Sequence, residues 1–320
     1  MQLNVRPANL PQDYPAIAAV LEEENPGWGQ TAEELAYADA TCDPTQFQAT
    51  LVAEETSGDT PLLIGVAFIG HDPVAYQEHT FHLNVRVRPA WQGRGVGKAL
   101  YEAVLTHLTP HHPQELIALV WQAHPRTARF CRARGFVEQW RRVDAMLDAT
   151  NFDFTPYAAL EEQLQTQGIF IKSYAELADD PKRLVNLYEL DWALWQSIPY
   201  GQAVTQRTLA QFTAEVDNPH FLPAGCFIAL ADGHYIGYSS LSTTTEGFNT
   251  EMTGVLPGYR GRGVATLLKV YGIRYAVAQG KPRLDTQNDA VNTGIIALNQ
   301  KLGFVPIGAT LRMVKTIRPE

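Results

Sequence analysis

Cysteine is scarce in this sequence: of 320 residues only Cys42, Cys131 and Cys226 carry a thiol. They are odd in number, far apart and form no Cys-x-x-Cys pair, so neither a disulfide framework nor a cysteine-based zinc site is expected. Long apolar runs are missing too. No stretch approaches the roughly eighteen apolar residues that mark a membrane span. The opening MQLNVRP reads as a strand and lacks the apolar core of a signal peptide. Positive charge is short: 25 Lys and Arg against 34 Asp and Glu leave a net −9, with no basic block. Nucleic-acid binding needs clustered cations to neutralise phosphates, so no such partner is expected. His111 and His112 sit in a Pro-bounded loop, far in sequence from a second ligand cluster, and no metal is expected. The expectation is a cytoplasmic protein without a membrane partner, as a monomer or homodimer.

What is present is core-forming material. Hydrophobic residues make up 45% of the chain and charged residues 18%, which excludes disorder and fibre. The length suits two domains of about 150 residues. Charge is uneven: residues 1–160 hold 11 basic against 19 acidic side chains, and residues 161–320 hold 14 against 15. An anionic ligand must therefore be held by local groups working against the overall field.

The chain repeats itself. A shift of 168 lays Val87-Arg-Pro-Ala-Trp-Gln-Gly-Arg-Gly-Val-Gly-Lys-Ala-Leu100 on Val255-Leu-Pro-Gly-Tyr-Arg-Gly-Arg-Gly-Val-Ala-Thr-Leu-Leu268, with seven of fourteen positions identical. The same shift lays Gly135-Phe136-Val137 on Gly303-Phe304-Val305. Two distant blocks in one register imply two copies of a whole domain. Each copy reads as a strand, two helices, three strands, a Gly-rich turn opening a helix, a strand, a helix and closing strand structure. The fold class expected is α/β, with a mixed sheet in each copy. Residues 1–150 form the first domain and 169–320 the second, with 151–168, a polar helix-like piece, as linker. Within the second, Leu187, Tyr188, Trp192, Leu194 and Trp195 recur at helical spacing and read as core.

In both copies a strand ends at a Pro. Then Gln92-Gly93-Arg94-Gly95-Val96-Gly97-Lys98, or Arg260-Gly261-Arg262-Gly263-Val264-Ala265-Thr266, opens a helix. Glycines let backbone amides approach a ligand, and the helix start supplies unpaired N–H groups and a positive dipole end. That suits a diphosphate. A tight turn needing glycine dihedrals explains one such site equally well; the recurrence at one spacing favours the ligand. A P-loop is excluded because Gly93 to Gly97 is one residue short and Ala99 follows Lys98. A Rossmann turn is excluded because the third glycine is misplaced and the next strand ends in Trp121 or Thr286 rather than an acid.

The Gln/Arg-x-x-Gly-x-Gly/Ala turn resembles that of the GNAT superfamily of N-acetyltransferases, and the likeness extends over nearly the whole chain. The helices leading into Arg134-Gly135-Phe136 and Leu302-Gly303-Phe304 are similar to that family's last block. The resemblance implies two tandem GNAT domains, each a mixed, mostly antiparallel twisted sheet flanked by helices. It implies acetyl-CoA, or another short acyl-CoA, as co-substrate. The diphosphate would lie on amides from Gly93 to Lys98 and Gly261 to Thr266. The strand before each turn would splay from its neighbour, so that backbone at Val85, Val87, Thr253 and Val255 meets the thioester arm. Tandem members of the superfamily include mycothiol synthase, and the likeness to it is of architecture rather than substrate motifs.

Amine acetylation needs an unprotonated amine and a group to meet the leaving thiolate. The family often places an acid on the pre-turn strand; here the second half has Glu251 and the first has Leu83 at the matching position, with Glu78, His79 and His82 nearby. At the family's tyrosine position the halves carry Cys131 and Asn299, which leaves the usual acid without a residue. The run Asp285-Thr-Gln-Asn288-x-x-x-Asn292-x-x-x-x-x-x-Asn299 resembles an asparagine-rich variant. Asn292 and Asn299, seven apart, are expected on one helix face, bonding the pantetheine arm or the thioester sulfur. The basic first-half segment from His124 to Arg134 reads as a solvated face. Trp195, Tyr200 and Asp191 are candidates for touching the acceptor. The expected reaction is direct acetyl transfer to a primary amine of a small molecule, with Glu251 and Asn299 catalytic. Two other readings stay open: a non-catalytic acyl-CoA sensor, motivated by the missing tyrosine, and an acetyltransferase for protein N-termini or lysines, which the acidic first half permits.

Overall fold

The computed structural model describes residues 2–26, 29–72, 75–198, 204–218 and 221–317. They divide into two units: Met1–Trp140 with Leu311–Glu320, and Arg141–Thr310.

Unit 1 runs β1 (Leu3–Pro7), α1 (Tyr14–Glu24), α2 (Ala32–Thr41), β2 (Gln48–Glu55), β3 (Leu62–Gly70), β4 (Thr80–Val87), α3 (Val96–Leu108), β5 (Glu115–Trp121), α4 (Pro125–Arg132) and the first residues of β6 (Val137–Asp148). Its strands lie in the order β1-β2-β3-β4-β5. All pairs are antiparallel except β4 with β5. The near-continuous apolar run of β3 marks a strand covered on both faces. On one side Tyr14, Ile17, Val20 and Leu21 of α1 pack on Val52, Leu63 and Val66. On α3, Val96, Leu100, Val104 and Leu108 recur every four residues and are buried. Each such side chain contributes roughly 1.5–3 kcal/mol of transfer free energy.

Unit 2 takes Arg141–Asp148 of β6, then α5 (Thr155–Thr166), β7 (Ile169–Ser173), α6 (Arg183–Trp195), α7 (Leu209–Val216), β8 (Phe221–Ala231), β9 (His234–Thr243), β10 (Phe248–Val255), α8 (Val264–Ala278), β11 (Arg283–Asp289), α9 (Thr293–Lys301) and the start of β12 (Val305–Thr316). Its strand order, β7-β8-β9-β10-β11, repeats that of unit 1, again with one parallel pair, β10 with β11. The internal repeat is thus a repeat of fold.

The closing strands depart from the expected boundaries. In unit 2 the strand beside β11 is β6, paired from Arg283↔Asp148 to Asp289↔Arg142. In unit 1 the strand beside β5 is the Leu311–Thr316 part of β12. The Ile317 N–H bonds Gln114 O at 2.7 Å, and Lys315 Nζ donates to the Tyr101 hydroxyl at 2.9 Å. Residues 151–168, expected as a linker, form α5 within unit 2. Its Leu164 is fully buried in that unit's core, and Glu161 bonds Tyr271 and Arg274 of α8.

Two helix starts are set locally. α7 begins at Leu209 because Thr208 closes a capping box with Gln211. α9 begins at Thr293 because β11 continues to Asp289, supplied with partners by β6, and the Asp289 carboxylate then accepts the Val291 N–H in a turn. Among the described residues no helix is long and apolar enough to cross a membrane.

Candidate functional site

The two glycine turns have the same geometry. Gly93 and Gly95 have φ of +79° and +91°, and Gly261 and Gly263 have +75° and +90°. The left-handed dihedrals require glycine, so the conformational role is real in both copies. Gly95 and Gly263 are also the N-caps of α3 and α8, and neither helix start receives a side-chain cap. The first amides of each helix are left for another acceptor. The leading residue of each motif folds back on the strand before it: Gln92 Nε2 donates to Val87 O at 3.1 Å, and Arg260 Nε donates to Val255 O at 2.9 Å. Arg94 lies 5.2 Å from the Trp91 ring and Arg262 5.3 Å from the Tyr259 ring. Val96 and Val264 turn their side chains into the core, and Lys98 is exposed, pairing with Glu102 at 3.7 Å.

The strands before the turns do splay. Pairing of β4 with β5 stops at His82↔Ile117, and that of β10 with β11 stops at Thr250↔Thr286. The Arg88 N–H bonds Ile64 O and the Leu256 N–H bonds Ile236 O. By the alternation of an antiparallel ladder, Val85, Val87, Thr253 and Val255 direct their backbone groups to the open edge. The carbonyls of Val87 and Val255 are already engaged by Gln92 and Arg260, so their N–H groups are what that edge offers.

The registers correct one alignment. Phe81 pairs with Leu116 as Phe248 pairs with Leu284. The offset is therefore 167 at this end of the pre-turn strand but 168 on its neighbour and at the turn. The extra residue is a bulge: β10 slips against β9 between Thr250↔Leu241 and Thr253↔Ser239, whereas β4 pairs with β3 without a break. Leu83 corresponds to Thr250, and Glu251 with Met252 takes the place of the single Asn84 of unit 1. The Glu251 carboxylate is exposed. It accepts hydrogen bonds from Ser242 Oγ and from Asn249 Nδ2, the latter at 2.9 Å.

The two asparagines are not both within the helix. Asn292 is the N-cap residue of α9, half-buried, and its side chain caps nothing. Asn299 is not surface but 3% exposed, with Nδ2 donating to Asn288 Oδ1 at 2.6 Å. In unit 1 Cys131 fills the equivalent place. Burial pushes its thiol up to about 11, which makes it a poor thiolate nucleophile. Asp191 is also withdrawn from any acceptor: it is 4% exposed and bonded by the Tyr238 hydroxyl at 2.5 Å and by Arg207. Trp195 packs beside that cluster with Leu187 and Leu194 buried, while Tyr200 lies outside the described residues.

The surroundings of the turns differ. Arg126 of α4 is exposed, as expected of a solvated face, and donates to Gln92 Oε1 at 3.4 Å; a Cβ on Gly93 would sit 2.5 Å from its guanidinium. In unit 2 Gly261 meets nothing within 4 Å, but a Cβ on Gly263 would meet Leu160 of α5 at 2.6 Å. Arg260 also donates to Ser197 Oγ at 2.8 Å, at the end of α6. Sequence reasoning missed Ser242, Asn249 and Ser197. Asn288 stood in the asparagine-rich run, opposite Val120 in the repeat, but was given no role of its own. Among the described residues no group of three or more His, Cys, Asp or Glu is arranged to hold a metal ion.

The sequence model of the acetyltransferase (GNAT) family matches residues 14–136 and again 184–304. Mycothiol acetyltransferase of Streptomyces avermitilis is 30% identical over 225 residues, covering 68% of this chain and 66% of that protein's length. The protein of the same name from Nocardia farcinica is 29% identical over 241 residues, 72% of this chain and 73% of that one. A tandem GNAT protein from the clavulanic acid biosynthesis pathway superposes with a TM-score of 0.76 at 19% identity over the whole of both chains. A GCN5-related N-acetyltransferase from Sphaerobacter thermophilus superposes at 0.64 with 18% identity, over 99% of this chain and 96% of the other. The structural likenesses establish the fold, and the two sequence matches, one in each half, establish that the chain belongs to the acetyltransferase (GNAT) family.

Proposed function

We propose that the chain is an acetyl-CoA-dependent N-acetyltransferase whose chemistry is done in unit 2, on a primary amine of a small molecule. The observation that carries this reading is the Glu251 bulge. It sets an exposed, doubly hydrogen-bonded carboxylate on β10 beside the edge that β11 leaves unpaired. The site fits the coenzyme: uncapped amides at α8, open space at Gly261, and a buried asparagine oxygen without a partner. The amides from Gly261 to Thr266 would hold its diphosphate, and Thr253 and Val255 would meet its arm. When bound, acetyl-CoA supplies the activated acetyl thioester. Glu251, fixed by Ser242 and Asn249, takes the proton of the amine directly or through water, so that the amine meets the carbonyl as a nucleophile. General-base help of this kind is worth about 10²–10⁴ in rate. The curated relatives' name, mycothiol acetyltransferase, supports a small-molecule acceptor over a protein.

Unit 1 is assigned coenzyme binding without transfer. Its turn is intact and Arg126 adds a cation beside it, but β4 has no bulge and no carboxylate at that place. The test is acetyl-CoA turnover with a panel of amino acids, polyamines and aminoglycosides. Glu251→Gln is expected to lower kcat/KM by roughly 10²–10⁴ while leaving acetyl-CoA affinity unchanged. A wild-type protein that neither binds acetyl-CoA nor turns it over rules the proposal out.

A further inference from the structure

Among the described residues of unit 2, one buried side-chain polar atom has no partner. Asn299 donates through Nδ2 to Asn288 Oδ1 at 2.6 Å, while its own Oδ1 is sealed from solvent without a hydrogen bond. A buried carboxamide oxygen left unpaired carries a desolvation penalty with no return. The fold does not demand it. At the equivalent positions unit 1 has Val120 and Cys131, 2% and 5% exposed. The equivalence is structural: Phe136 N–H bonds Cys131 O at 3.1 Å just as Phe304 N–H bonds Asn299 O at 3.0 Å. Where unit 1 closes this strand-to-helix contact with apolar groups, unit 2 keeps two amides and an unfilled acceptor. Asn288 lies beyond Thr286, on the stretch of β11 where pairing with β10 has ended, while its other edge stays paired with Val143.

We infer that Asn288 is a positioning residue: by engaging Nδ2 it turns Asn299 so that Oδ1 stands ready to accept one N–H from a ligand lying in the gap between β10 and β11. This rests on the acetyl-transfer reading, and it names the group to be recognised. Two ligands carry that N–H: an amide of the pantetheine arm, or the amine to be acetylated. An oxygen held this way accepts and does not donate, so the pair is not the acid for the leaving thiolate.

The test uses full-length protein, with calorimetric titration of acetyl-CoA and steady-state kinetics on the best amine of the panel. Asn288→Val and Asn299→Cys install the residues of unit 1, which that fold accommodates. Each is expected to weaken binding about tenfold, the worth of one well-made hydrogen bond, and the double variant is expected to be no worse than either single one. Asn288→Asp keeps an acceptor for Nδ2 and is expected to stay within about threefold of wild type. A loss in acetyl-CoA affinity assigns the N–H to the pantetheine arm; a rise only in the amine KM assigns it to the amine. Unchanged constants in Asn288→Val, with an active wild type, overturn the inference alone. So does a folded Asn288→Asp that loses as much as Asn288→Val, because Nδ2 would then be the ligand-facing atom. A wild type that binds no acetyl-CoA removes the acetyl-transfer reading and this inference together.

Discussion

Lys269 shows how much a single residue can tax this fold. It lies on α8, 4% exposed, with its ammonium 5.0 Å from the centre of the Phe304 ring. Burial pushes its pKa down from 10.5 to about 7. Above 10.5 the group is neutral whether the chain is folded or not. As pH falls towards 7 the unfolded chain takes up a proton that the folded one refuses, so stability declines across that window, and below 7 the penalty is constant. The total is on the order of a few kcal/mol. Lys269→Met is therefore expected to raise the denaturation midpoint at pH 7 and to flatten the dependence between pH 7 and 10. Urea unfolding at several pH values decides it: a variant no more stable than wild type at pH 7 refutes the account. Nothing in the sequence marked this lysine, because α8 is apolar nearly all round and has no polar stripe to place it outside. Glu251 was legible as an acid near the turn, but its bulge was not, since register is set by partners distant in sequence. Asn299 read as polar and helical; only packing reveals that it is buried against Asn288.

At the scale of elements, the turn and the helix after it can be separated from mere conformational need. Gly95 and Gly263 are poor places for a lesion, since both have φ near +90° and Gly263 is covered by Leu160. Gly97 and Ala265, the second residues of α3 and α8, are better. A Cβ at Gly97 makes only ordinary contact, 3.6 Å from Phe130. An aspartate in a first helical turn stabilises the helix while repelling a diphosphate. Ala265→Asp is expected to raise the KM for acetyl-CoA at least about tenfold, with a lowered Tm because Ala265 packs against the core, and Gly97→Asp to leave transfer largely intact. Activity lost through Gly97→Asp alone would move the chemistry to unit 1. The start of α8 was readable to the residue because glycine sets it. The ends of β11 and α9 were not, because β6 lengthens the one and the Asp289 turn delays the other.

For the molecule as a whole, the repeat announced two domains but not which strands complete them. The equivalent place of residues 137–148 and 305–316, each following Gly-Phe in its own copy, hides the fact that unit 1 finishes its sheet with Leu311–Thr316. Residues 1–150 expressed alone are therefore expected to be insoluble or loosely packed, with β5 lacking its neighbour. Joining residues 305–317 through a Gly/Ser linker is expected to restore near-ultraviolet circular dichroism and a cooperative melt. A stable, cooperatively folded 1–150 fragment would contradict this. The same arrangement sets a clock on synthesis. At about 5–20 residues per second, the ribosome needs on the order of ten to thirty seconds after residue 150 to deliver the strand that closes the first-made unit. During that interval the edge of β5 stands open in the nascent chain, and the half translated first is the half completed last.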